Sequence, residues 1–236
     1  MLLNKGSMSE PFAIEVSETE SVSGLLYRSP ASGRARTTLV LGHGAGAGQT
    51  HRLMVMFASG LASRGIDTAT FNFLYTEKGR GAPDRGDKLE LCYRAAIATI
   101  RQIEGIKENA LVIGGKSMGG RIASQVAAAG LEDLSGLVYL GYPLHPPGKP
   151  EQLRSKHLGQ IRAPMLFIQG SRDTFGTPEE LRPIIEELHL PAELYEVEGG
   201  DHSFKVPKRA PVTQEQVYEN VMDEIKRWLK LIATAG

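Results

Sequence analysis

Cysteine is almost absent. Cys92 is the only one in 236 residues, which excludes an internal disulfide framework and fits a reducing compartment. Long apolar runs are missing too. None approaches the roughly 18 residues that span a bilayer, and Met1 to Met8 contain no apolar core of about seven as a secretory leader would. We therefore expect a soluble, cytoplasmic protein with no membrane partner. Charge of one sign is not in excess, since 27 Lys and Arg balance 27 Asp and Glu, and nothing in the overall balance suggests nucleic acid as a partner. Repeats and low-complexity segments are absent as well. What remains is a chain with 41% hydrophobic residues, long enough to bury roughly 70% of its unfolded surface in one core. Residues 9–236 are expected to form one domain, with residues 1–8 a tag or a disordered start.

Elements alternate along the chain. Short strands are expected at Phe12–Val16 and Val22–Arg28, joined as an antiparallel pair. Buried strands follow at Thr37–Leu41, Asp67–Phe73, Ala110–Ile113, Leu137–Leu140, Pro164–Gln169 and Ala192–Val197. Helical spacing links Met54, Phe57, Ala58, Leu61 and Ala62 behind a Thr50 cap. It also links Leu89, Cys92, Tyr93, Ala96, Ile97, Ile100 and Ile103, and places Cys92 in the core. Thr76 to Lys88 reads as a solvated loop. The last helix opens with a Thr213-x-x-Gln216 capping box and buries Val217, Val221, Ile225, Trp228 and Ile232. Strands alternating with helices predict an α/β fold, a mainly parallel sheet with helices on both faces and its site at the carboxyl ends of the strands.

Between the Ala110–Ile113 strand and the helix behind it lies Gly115-Lys-Ser-Met-Gly119, a G-x-S-x-G turn. Such a turn holds a serine in strained backbone geometry, and the crowding there requires small residues on either side. The helix starting behind Ser117 favours negative charge beside the hydroxyl, as an acyl-transfer intermediate carries. A P-loop is a poor alternative, because it needs glycine at position 110, where the chain has Ala110. The loop His43-Gly-Ala-Gly-Ala-Gly48 is not a dinucleotide fingerprint either, since Gln49 stands where its last glycine belongs. We read it as half of an oxyanion hole, with the N–H groups of Ala45 and Met118 as donors. His43 is expected to tie its loop down.

Asp173 and His202 each follow a strand and complete the order Ser, Asp, His. In that arrangement His202 is the general base for Ser117, Asp173 orients it, and Asp201 supports the loop. His51, His145, His157 and His189 show no metal-ligand spacing, and no metal or other cofactor is expected.

These motifs, with Gly141-Tyr-Pro-Leu-His-Pro-Pro147, resemble the α/β-hydrolase superfamily and within it the dienelactone-hydrolase-like branch. The likeness spans about residues 35–232. It is strongest to a family of small hydrolases that includes a testis-expressed protein and a subunit of a chromatin acetyltransferase complex. The resemblance implies an α/β-hydrolase fold and a serine hydrolase acting on a small carboxylic ester or thioester. Dienelactone hydrolases proper carry cysteine in place of Ser117, so their substrate does not transfer. The segment Tyr142 to Ile161 is too short for a large cap, so a minimal lid and a shallow site are expected, with Gly44, Tyr142 and Leu144 as substrate contacts. Lys116, Arg121, Lys149, Arg154 and Arg172 are candidates for a basic rim, against the plainer reading of scattered solvated charges. The alternative to an enzyme is a catalytically silent fold that binds a partner. Oligomeric state is not legible.

Overall fold

Alternation of apolar side chains between two faces organises the sheet. In the computed structural model, which describes residues 9–234, eight strands lie in the order β1-β2-β4-β3-β5-β6-β7-β8. They are β1 Ser9–Ser17, β2 Glu20–Tyr27, β3 Thr37–Gly42, β4 Asp67–Phe71, β5 Ala110–Lys116, β6 Leu134–Leu140, β7 Met165–Gly170 and β8 Ala192–Val197. β1 and β2 pair antiparallel, as do β2 and β4, and every later pairing is parallel. The expectation for residues 1–8 lies outside the described residues.

The helices are α1 Arg52–Ser63, α2 Leu74–Glu77, α3 Gly86–Ile100, α4 Met118–Ala128, α5 Pro178–Glu187 and α6 Gln214–Thr234. On one face Leu39, Leu41, Val112, Val138, Leu140, Leu166 and Ile168 pack against Phe57 and Leu61 of α1 and Val221, Ile225 and Trp228 of α6. On the other, Val40, Ile113, Leu137, Tyr139 and Phe167 pack against Tyr93 of α3, Ile122 of α4 and Leu181 of α5. Strands covered on both sides read as unbroken apolar runs. That is why β3, β5 and β7 were visible in the sequence.

Three local readings change. α1 is capped by His51, whose Nδ1 accepts from the Leu53 N–H at 3.3 Å, not by Thr50. The Thr213 box is half formed: Thr213 Oγ1 accepts from Gln216 N–H at 3.1 Å, while the Gln216 amide turns to Asn220. Thr76 to Lys88 is not one solvated loop, because Thr76 and Glu77 close α2, whose Leu74 and Tyr75 are buried, and α3 already begins at Gly86. Tyr75 was hidden by charged neighbours, and its hydroxyl reaches back to donate to the Ala45 carbonyl at 2.9 Å.

From β3 the chain crosses to β4 on one side, and from β4 it crosses back to β5 on the other, so the strand order reverses at β3. A crevice opens at such a switch point, outside the carboxyl ends of the strands. The loops after β3 and β5 meet there. Among the described residues no helix is long and apolar enough to cross a membrane.

Candidate active site

Ser117 sits between β5 and α4 with φ 51° and ψ −115°. A non-glycine residue held there costs on the order of 1–3 kcal/mol, and such strain persists only where the surroundings over-determine it. Here the surroundings are backbone. A Cβ on Gly119 would lie 2.1 Å from the Gly42 carbonyl oxygen, and one on Gly115 would lie 2.3 Å from the same atom. The first turn of α4 therefore rests directly on the end of β3.

His202, in the loop after β8, reaches over this turn. Its Nε2 is 2.8 Å from Ser117 Oγ and its Nδ1 is 2.7 Å from Asp173 Oδ2. Asp173 is 1% exposed. Its carboxylate also accepts from the Gln169 amide at 2.9 Å and from the Phe175 N–H at 2.8 Å. An ionised carboxylate only accepts, so the His202 proton belongs on Nδ1, which leaves Nε2 free to accept from the Ser117 hydroxyl. Asp201 takes no part in this line; its Oδ1 accepts from the N–H groups of Ser203 and Lys205 and shapes the loop.

Two supporting residues escaped the sequence reading. Gln169 is the penultimate residue of β7 and is fully buried. Its amide also donates to the Gly176 carbonyl at 2.6 Å, and its Oε1 accepts from the Tyr142 N–H at 2.8 Å. The available signal was a polar residue closing the apolar run Met165 to Ile168. Phe175 stacks on the His202 ring, with centroids 4.2 Å apart and planes 28° apart. Nothing local marks that contact, because the two residues come from different loops.

The glycine loop after β3 is held by His43. Its Nε2 accepts from the Phe73 N–H at 3.1 Å, so the proton sits on Nδ1, which donates to the Gly44 carbonyl at 2.8 Å. That carbonyl also accepts from the Ala47 N–H at 3.2 Å. In a planar trans peptide the N–H points opposite to the C=O. Holding the Gly44 oxygen therefore fixes the direction of the Ala45 N–H, which has no hydrogen-bond acceptor among the described residues. Met118 opens α4, where an N–H has no partner within the helix.

Burial pushes His43 down from 6.5 to about 4. The folded protein therefore keeps this ring neutral where the unfolded chain protonates it. Its contribution to stability is complete above about pH 6.5 and is lost as pH falls toward 4. For a fully buried ring the loss by pH 5 amounts to about 2 kcal/mol. Urea unfolding at pH 7.5 and 5 should show a smaller difference in His43→Asn than in the wild type; equal differences would contradict this role.

Lys116, the last residue of β5 before Ser117, is 7% exposed. Among the described residues its Nζ has no hydrogen-bond partner. Burial lowers it to about 8, against the pull of Asp173 and Asp201. Cys92 is buried and its thiol is pushed up to about 12 by desolvation. It is a core residue, as expected.

Beside Ser117 opens a cleft of about 560 Å³. A family profile described as "Alpha/beta hydrolase domain" matches residues 35–230. The chain belongs to this alpha/beta hydrolase family. Solved structures share the fold. A serine hydrolase without lid from Xanthomonas campestris is 20% identical, with 97% of each chain covered and a TM-score of 0.71. Dienelactone hydrolase from Anabaena variabilis is 18% identical over 94% of this chain and 97% of that one, with a TM-score of 0.71. An esterase from Pyrococcus furiosus is 18% identical over 94% and 92%, with a TM-score of 0.70.

The lining of this hydrolase's cleft corrects part of the sequence reading. Gly44 is there, with Ala45, Ser117, Met118 and His202. Tyr142 and Leu144 are not. Both are fully buried. Tyr142 packs on Tyr139 and Phe167, and its hydroxyl donates to the Arg154 carbonyl at 2.8 Å. The segment after β6 is apolar enough to fold onto the core instead of standing over the site. Pro143 and Arg154 face the cleft in their place. Of the five basic rim candidates, Lys116, Arg121 and Arg154 line the cleft; Lys149 and Arg172 do not. The loop before α3 contributes Pro83 and Asp84, which the sequence reading left as solvated.

Proposed function

We propose that this protein is a serine hydrolase that cleaves a small carboxylic ester or thioester through an acyl intermediate on Ser117. The observation that carries the reading is the hydrogen-bonded line from Asp173 through His202 to Ser117, on a strained turn at the floor of an open cleft. Ser117 Oγ attacks the acyl carbon while His202 Nε2 takes its proton. The tetrahedral oxyanion is received by the N–H groups of Ala45 and Met118, fixed dipoles that need not reorganise as charge develops. Collapse breaks the bond to the leaving group, which departs with the proton from His202. A water then repeats the sequence on the acyl-serine, releasing the acid and restoring the Ser117 hydroxyl.

The esterase and dienelactone hydrolase neighbours support an ester-type substrate by analogy of fold. The narrower likeness to the small hydrolases with testis-expressed and chromatin-associated members rests on the segments Lys116 to Arg121 and Tyr142 to Pro146. The absence of a lid suits a small substrate approached from solvent.

Labelling by a fluorophosphonate probe, followed by intact mass, tests the proposal. The wild type should gain one phosphonyl adduct, and Ser117→Ala and His202→Ala should gain none. A well-folded wild type that stays unlabelled would replace this reading with that of a silent fold acting as a binding protein.

A further inference from the structure

Arg121 and Arg154 both line the cleft, and among the described residues neither is paired with a carboxylate. Arg121 lies one helical turn after Ser117. Among the described residues its guanidinium makes one hydrogen bond, to the neutral Gln125 amide at 3.2 Å. Arg154 comes from the segment after β6, and its backbone is clamped at both ends. Its N–H donates to the Leu144 carbonyl at 2.8 Å, and its own carbonyl accepts from Tyr142. Among the described residues neither guanidinium is within salt-bridge distance of an acid.

Elsewhere in this molecule two arginines of comparable burial are answered by acids, while Arg94 and Arg101 give their guanidinium hydrogen bonds to backbone carbonyls. Arg34 meets Asp67 at 2.6 Å, and Arg64 meets Glu219 and Asp223 at 2.5 and 2.7 Å. In the cleft the opposite holds: burial, and then the neighbouring Arg154, push Arg121 below the usual guanidinium value. Two like charges partly withdrawn from water, without a counter-charge, raise the energy of the empty site. An anion that fits between them relieves it. The acids nearby do not fill that role. Glu90, on α3, attracts Arg121 only from beyond ion-pair distance. Asp84, which also lines the cleft, meets Arg80 through Oδ1 at 2.7 Å, and its buried Oδ2 has no hydrogen-bond partner among the described residues.

We infer that Arg121 and Arg154 form a subsite for an anionic oxygen group on the substrate, a carboxylate or a phosphate, so that the preferred substrates are negatively charged esters or thioesters. The inference rests on the hydrolase reading for its reaction and on the cleft alone for its ligand. Planar guanidinium forks match carboxylate and phosphate in a bidentate way that scattered surface lysines do not. The clamped backbone of Arg154 fixes the point from which its side chain leaves for the cleft.

Two measurements separate the inference from the reaction. In the first, kcat/KM is compared at low ionic strength for a neutral butanoate ester, for the matching hemisuccinate ester and for an ester with a phosphate-bearing leaving group. At least one charged ester should be preferred by about tenfold or more. That ratio should fall toward one in Arg121→Gln plus Arg154→Gln, and most of it should survive in Arg154→Lys. The preference should also shrink as salt is added. Equal rates on charged and neutral esters, or a ratio indifferent to both glutamine replacements, would overturn the subsite and leave the hydrolase standing. In the second, calorimetric titration with glutarate and, separately, with inorganic phosphate reads anion binding without turnover. Saturable binding that disappears in the double variant supports the subsite even if no ester is cleaved. Binding of neither anion overturns it.

Discussion

Ser117→Ala is expected to lower kcat/KM for any ester this protein cleaves by at least about 10⁴-fold, since in the proposed mechanism Ser117 and its base act as one unit. His202→Ala should fall to about the same floor, and the double variant should fall no further. That lack of additivity is the sharper test, because two independent contributions would multiply. Asp173→Asn should also lose several orders of magnitude. An asparagine turned to offer its amide would favour the wrong His202 tautomer, with the proton on Nε2 and nothing left to accept from Ser117. Ser117→Gly separates chemistry from folding. It removes the nucleophile and also relieves the φ of 51°, so it should be inactive yet more stable than the wild type by about 1 kcal/mol. A Ser117→Gly protein that retains ester turnover above background would sink the acyl-serine mechanism.

Gly119→Ala is expected to destabilise the fold by about 4 kcal/mol or more, and urea unfolding beside the wild type would read the loss directly. Glycine to alanine inside a helix ordinarily stabilises by about 1 kcal/mol through helix propensity. At Gly119 the sign reverses. The added methyl would lie 2.1 Å from the Gly42 carbonyl oxygen, 2.3 Å from its carbon and 2.8 Å from the His43 carbonyl oxygen. All three are backbone atoms at the end of β3, and none can rotate away. To make room, α4 must lift off the sheet, which also moves Ser117 and the loop from His43 to Ala47. Gly130, at the far end of α4, serves as the control, since nothing lies within 4 Å of its added Cβ. Its φ of +85° means that Gly130→Ala is strained only locally, by about 1 kcal/mol. Equal losses at the two positions would show that crowding under the elbow is not what requires glycine at 119.

The two experiments probe the same design from opposite ends. The strain in Ser117 is tolerated because the glycines under it let helix and strand backbones touch. The hydroxyl is then presented to His202 at 2.8 Å. Loss of either feature should silence the site, but only the glycine change should also weaken the fold.

What the sequence by itself determined is whatever depends on near neighbours. Strands covered on both faces must be apolar throughout, so β3 and β7 could be placed to within a residue and β5 at its start, while the edge strand β8 was placed despite its two glutamates. A serine bent between strand and helix needs small residues around it, so Gly115, Ser117 and Gly119 announced the elbow. The order of Ser117, Asp173 and His202, each just past a strand, followed from the rule that parallel sheets gather their sites at the carboxyl ends. Tertiary structure decided what depends on direction. Tyr142 and Leu144 follow β6 as an edge residue would, yet they turn inward, because burying an aromatic ring and a leucine against Tyr139, Phe167 and Gly176 outweighs exposing them to a shallow cleft. The support from Gln169, the stacking of Phe175 and the pinning of the Ala45 peptide by His43 join residues far apart in the chain. No local pattern encodes them. The same holds for the basic residues: Lys116, Arg121, Lys149, Arg154 and Arg172 are equal as letters, and only packing separates those that line the cleft from those left in solvent.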